Sequence, residues 1–185
     1  ADYPRFNSYE NRFNIKNIVD NVDYSGGFTM KGGNFNGFGD SENPSHLYFK
    51  YKGKTRVEVI SDFISMTESS LGSSNAKIII RLGADTIVHP GLQVKFIKST
   101  RLLTLYRSGK GLEKTPFYDS YHNFNIYTES IKWNIDDPII DLGAIFGSSS
   151  RQTYLESVDF FSKSRFNEIM GQNRVHPLTA VQRLS

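Results

Sequence analysis

Apolar and polar residues alternate along most of this chain with the period of a β-strand, not of a helix. The clearest stretch is His46 to Ser61. Leu47, Phe49 and Tyr51 fall on one face and His46, Tyr48, Lys50 and Lys52 on the other, Lys52-Gly53-Lys54 reverses the chain, and Thr55 to Ser61 alternates again, which predicts a hairpin. Phe63 to Thr67 prolongs its second strand past a kink. After a serine-rich loop from Ser69 to Ser74, the pattern predicts four consecutive strands at Ala76 to Leu82, Thr86 to His89, Leu92 to Lys98 and Arg101 to Arg107. They are joined by Gly83-Ala84-Asp85, Pro90-Gly91 and Lys98-Ser99-Thr100. Strand starts so close together suit antiparallel neighbours, because a helical crossover between parallel strands takes about a dozen residues or more.

Elsewhere the signal is less regular. Phe13 to Val19 reads as a strand. In the glycine-rich run from Gly26 to Gly39, strands with bulges or tight reversals press Phe28, Met30, Phe35 and Phe38 into the core. Phe124 to Ile135 carries apolar residues on both parities, which a bulge or face switch near Glu129 would reconcile. Pro138 opens a short strand, Ile139 to Ile145. After Thr153 the period changes, predicting a helix from about Ser162 to Met170 and a second one after Pro177. The expected fold is therefore all-β, an antiparallel β-sandwich or meander of about ten strands with one or two short C-terminal helices. A weak similarity between 33–63 and 143–160 gives a β-solenoid as the alternative. The expected organisation is an extended, aromatic-rich N-terminal arm at 1–16, the β domain at 17–157, and a helical segment at 158–185 that starts a following module.

Composition narrows the classes. At 185 residues and 38% hydrophobic content, one domain with a real core is expected, and 14 Phe and 10 Tyr suit half-buried pleated surfaces. A net charge of +3 from scattered Lys and Arg is no nucleic-acid footprint, so no nucleic-acid partner is expected. The absence of cysteine removes disulfides, thiolate ligands and a thiol nucleophile together. No apolar run reaches the roughly 18 residues of a membrane-spanning helix. A start at Ala1 without methionine reads as a processed or excised segment.

No catalytic, metal or nucleotide motif rises above chance, and no cofactor is expected. His46, His89, His122 and His176 lack partners at metal-ligand spacing; Asp85 and His89 share a strand face but lie about 13 Å apart. The densest polar cluster is Asp119, Ser120 and His122. It has the residue types of a hydrolase triad, yet no nucleophile elbow surrounds the serine, so it reads as a polar clamp on the loop from 108 to 122. Candidate ligand-facing aromatics are Tyr118, Tyr121, Tyr127 and Trp133, which an exposed coplanar strip would turn into a glycan platform.

Three segments, Ser74 to Ile80, Asp85 to Leu92 and Pro116 to His122, with their His-Pro strand end and Ser-Tyr-His loop, resemble segments of very large, uncharacterised cell-envelope proteins of Bacteroidota. The resemblance covers roughly Asn17 to Leu184. It implies an exported, β-rich piece of a longer polypeptide, located in the cell envelope or outside the cell, and carries no assigned activity. The function expected is a non-enzymatic structural or protein-interaction module that docks onto neighbouring modules or subunits. A carbohydrate-binding module and an envelope-associated hydrolase are the alternatives.

Overall fold

The computed structural model describes residues 5–9, 13–107, 111–143 and 153–159. It is all-β, with antiparallel pairing throughout and no α-helix among the described residues. The chain makes nine passes across one sheet. The first comprises β1 (Arg5–Asn7) and β2 (Phe13–Val19), and the second is β3 (Val22–Lys31). The third comprises β4 (Asn34–Phe38) and β5 (Ser45–Tyr51), and the fourth β6 (Lys54–Ser61) and β7 (Phe63–Met66). The long strands β8 (Ser70–Leu82) and β9 (Asp85–Ile97) are the fifth and sixth. The seventh comprises β10 (Leu102–Tyr106) and β11 (Phe117–Asp119), the eighth β12 (Phe124–Tyr127) and β13 (Ser130–Asn134), and the ninth β14 (Asp141–Gly143) and β15 (Tyr154–Ser157). Each pass pairs with the one before it and the one after it.

Almost every pass is interrupted, and the interruptions line up. An excursion leaves the ladder at 39–44, where Gly27 pairs with Phe38 and Ser25 with His46, and the pairing with β9 is broken between Tyr106, opposite Gln93, and Tyr118, opposite Val88. Shorter breaks fall at Asp62, between Ser73 and Ala76, opposite Pro90-Gly91, and at Thr128-Glu129. One extra residue shifts a period-two pattern by one. The core changes parity accordingly: Val57 and Val59 give way to Ile64 and Met66, Leu71 to Ala76, Ile78 and Ile80, Ile87 and His89 to Leu92, Val94 and Phe96, and Ile126 to Ile131, Trp133 and Ile135. The bulges thus keep the buried apolar residues on one face, while Ile60, Ile79 and Val88 lie half-buried on the other.

That face packs against itself. Phe49 of the third pass meets Phe96 of the sixth with ring centroids 4.7 Å apart, and the Arg56 guanidinium of the fourth lies 4.5 Å from the Trp133 ring of the eighth. At one end Arg101 donates to the Asp20 carbonyl (2.7 Å), the Lys50 carbonyl (3.3 Å) and the Asp136 carboxylate (2.6 Å), gathering three distant turns.

Several expectations change. Thr86 to His89 and Leu92 to Lys98 belong to one strand, because Pro90 sits on an exposed bulge where its missing amide proton costs nothing, and the Ser69 to Ser74 loop is mostly the start of β8. The N-terminal arm is in part sheet: β1 and β2 both pair with β3, and Phe6 stacks on Phe28 at 5.4 Å. Among the described residues every ladder is antiparallel, unlike the stacked parallel coils of a solenoid. Met30, expected in the core, is exposed, and Phe28 and Phe38 are half-buried. The two expected helices lie outside the described residues. The hairpin from His46 to Ser61 forms as β5 and β6, turning at Lys52 and Gly53, which both have positive φ.

Candidate functional site

Between β11 and β12 the chain turns through Ser120 to Asn123. The buried Asp119 carboxylate closes this turn by accepting the Tyr121 amide at 3.0 Å and pairing with His122 Nδ1 at 2.7 Å. The His122 ring is half exposed, edge-on to Tyr121 (4.6 Å) and stacked on Phe124 (5.6 Å). Ser120 faces elsewhere. Its hydroxyl accepts the Thr86 amide at 2.8 Å and donates to Asp85 at 3.2 Å, while its own amide donates to the Thr86 carbonyl. Asp119 and His122 therefore form a pair that excludes Ser120, and the serine and histidine answer to different carboxylates. Within this cluster Ser120 and His122 are not aligned as nucleophile and base. The cluster ties the turn to the start of β9.

A second polar centre is buried. His89, fully enclosed and packed on Phe117 (4.7 Å), accepts the Gly91 amide at Nδ1 (3.1 Å), which leaves Nε2 to donate to the Thr115 carbonyl at 2.7 Å. This arrangement needs neutral imidazole. Burial pushes its pKa down to about 4. On the outer sheet surface, Glu58 receives Arg81 (2.6 Å) and His46 (3.1 Å), whose ring stacks on Tyr48. Burial, then the Glu58 charge, raises the Tyr48 pKa. Next to it Lys50 pairs with Asp23; burial works to raise the Asp23 carboxyl pKa, but the Lys50 bond, the Asn17 amide and the charges of Lys50 and Lys16 together lower it. Among the described residues no group of three or more His, Asp or Glu is placed to hold a metal ion.

The candidate aromatics separate into three places. Trp133 is only 1% exposed, points into the core and donates from Nε1 to the Asp137 carbonyl at 3.0 Å, so it cannot face a ligand. Tyr121 is 70% exposed but stands on the turn. Tyr118 and Tyr127 lie on the outer face of β11 and β12, and β15 continues that face. The register sets Tyr118 beside Asn125 and Asn125 beside Glu156 in one row, and Tyr127 beside Tyr154 in the next. The rings of Tyr127 and Tyr154 stack 4.3 Å apart, the Tyr127 hydroxyl donates to Glu156 at 2.9 Å, and the Tyr118 hydroxyl donates to Asn123 at 3.0 Å. The bond to Glu156, reinforced by burial, raises the Tyr127 pKa.

Asn125, Tyr154 and Glu156 were not apparent as site residues in the sequence. The alternation Tyr-Leu-Glu-Ser at 154–157 is a strand signal, but only its register with β12, fixed by folding, places it beside Tyr127. Comparison with protein-family models, with curated proteins and with solved structures finds no significant match.

Proposed function

We propose that this chain is a non-enzymatic structural or protein-interaction module of a larger exported cell-envelope protein, built as a meander that curls its apolar face onto itself. The supporting observation is the state of the two outer passes. Among the described residues, no strand pairs with the outer edges of β1 and β2 or of β14 and β15. Both rims also carry core-side apolar groups into solvent: Phe6 (55% exposed) and Phe13 on one, with exposed Met30 beside Phe6 on β3, and Leu142 and Leu155 (55% exposed) on the other. Unpaired edges lined by apolar side chains invite further strands or a covering surface. The densest polar cluster, by contrast, is spent on fastening a turn.

The absence of cysteine gives a clean test. Phe6→Cys and Leu155→Cys place one thiol on each rim. The module reading expects these thiols to react freely in the isolated chain and to be strongly protected in the intact envelope of the producing cells. Equal reactivity in both settings, or recovery of the chain in the cytosol, overturns it.

A further inference from the structure

From the outer face of β11, β12 and β15 we infer a binding site for a neutral, β-linked oligosaccharide. Every outward residue of these strands is a tyrosine or a short hydrogen-bonding group: Tyr118 on β11, Asn125 and Tyr127 on β12, Tyr154 and Glu156 on β15. None is aliphatic. A protein-docking patch wants a desolvated centre of large apolar side chains within a polar rim. Here a carboxamide and a carboxylate sit among the rings instead. That mixture matches a sugar, whose C–H faces pack on aromatic rings while its equatorial hydroxyls need planar donors and acceptors at the ring edges.

The polar edges are already set. The Tyr127 hydroxyl is held by Glu156 (2.9 Å) and the Tyr118 hydroxyl by Asn123 (3.0 Å), whose Nδ2 in turn donates to Asp159 at 2.6 Å. Such bonds remove rotamer freedom before any ligand arrives, which lowers the entropy cost of binding. Carboxylates in and beside the patch disfavour an acidic sugar. Spacing also suits: neighbouring strands lie about 4.8 Å apart and outward residues on one strand about 7 Å apart, close to the dimensions of a pyranose ring. A chain of linked pyranoses crossing the strands would meet Tyr118, Asn125 and Glu156 in turn, with the stacked Tyr127 and Tyr154 beside it.

The inference stands apart from the module reading, which rests on the sheet rims. Cellohexaose, xylohexaose and chitohexaose, each titrated to millimolar concentration into the 15N-labelled chain, provide the test. We expect at least one to shift the amides of β11, β12 and β15 in a saturable manner. Tyr118→Ala and Tyr154→Ala should each weaken that oligosaccharide at least about tenfold, while Tyr121→Ala, outside the patch, should leave it unchanged. Retention of the wild-type amide dispersion shows that the variants are folded. No shifts with any of the three sugars, or shifts that survive both alanine substitutions in a folded protein, overturn the inference.

Discussion

His89 should make the fold acid-sensitive above the range where carboxylates titrate. Its ring is enclosed between the bulge at Pro90-Gly91 and the excursion that carries Thr115, and both nitrogens are committed: Nδ1 accepts from Gly91 and Nε2 donates to Thr115. A second proton on Nδ1 would confront the Gly91 N–H and place a charge in the core. With a folded-state pKa of about 4 against 6.5 for an unhindered histidine, the unfolded chain binds a proton across that interval and the folded chain does not. Stability from this group is therefore constant above about pH 6.5, falls as pH drops from there to about 4, and levels off below. The integrated loss is about 3 kcal/mol, of which about 2 kcal/mol appears between about pH 7.5 and pH 5. Against a typical total of about 5–15 kcal/mol, that is a large share.

Urea unfolding at those two pH values, for the wild type and His89→Gln, isolates the effect, since other titrating groups contribute equally to both proteins. Glutamine should cost about 1–3 kcal/mol at the higher pH through imperfect hydrogen bonding and should remove about 2 kcal/mol of the pH-dependent loss. Equal loss in both proteins refutes the reasoning. If the variant does not fold, the imidazole resonances of the wild type decide: His89 titrating near 6.5 in the folded protein would sink the argument.

Three further outcomes follow from the packing. A Cβ on Gly37 would lie 2.6 Å from the Tyr24 ring, so Gly37→Ala should cost about 2–3 kcal/mol and lower the melting temperature by several degrees; an unchanged Tm would mean that Tyr24 has room to move. Trp133→Ala should lose about 3–5 kcal/mol in chemical denaturation, because a fully buried indole leaves a cavity beneath Arg56. Arg101→Ala leaves the Asp20 and Lys50 carbonyls and the Asp136 carboxylate without this partner, and should speed amide exchange at these three separate turns together; faster exchange at its own turn alone would show that it does not bridge them.

The parts of the fold legible in the sequence are those where one local signal has one meaning. Alternation plus Lys52-Gly53 gives a hairpin, because both turn residues must take positive φ and glycine does so without strain. Pro90-Gly91 has two meanings. The pair breaks a ladder whether the chain reverses or bulges, and what decides between them is the partner strand: β8 carries its own extra residue near Asn75, so the two bulges compensate and pairing resumes from Ile78 opposite His89. That information lies in two distant segments at once.

The same ambiguity governs the aromatic site. Tyr127 and Trp133 share a parity, and in an unbroken strand they would share a face. The face switch expected near Glu129 occurs at Thr128-Glu129, and its consequence is that Tyr127 stays outside with Tyr154 while Trp133 turns inward beneath Arg56. Grouping the two as ligand-facing was therefore inconsistent with the bulge that the apolar pattern itself requires. Applied along the whole chain, this constraint is useful: wherever buried parity changes within a pass, a residue beyond the break belongs to the opposite face from its same-parity neighbour before it. Tyr118, Asn125 and Tyr127 all lie on one side of the row of breaks. The outer face of β11, β12 and β15 is a continuous surface because no bulge divides it.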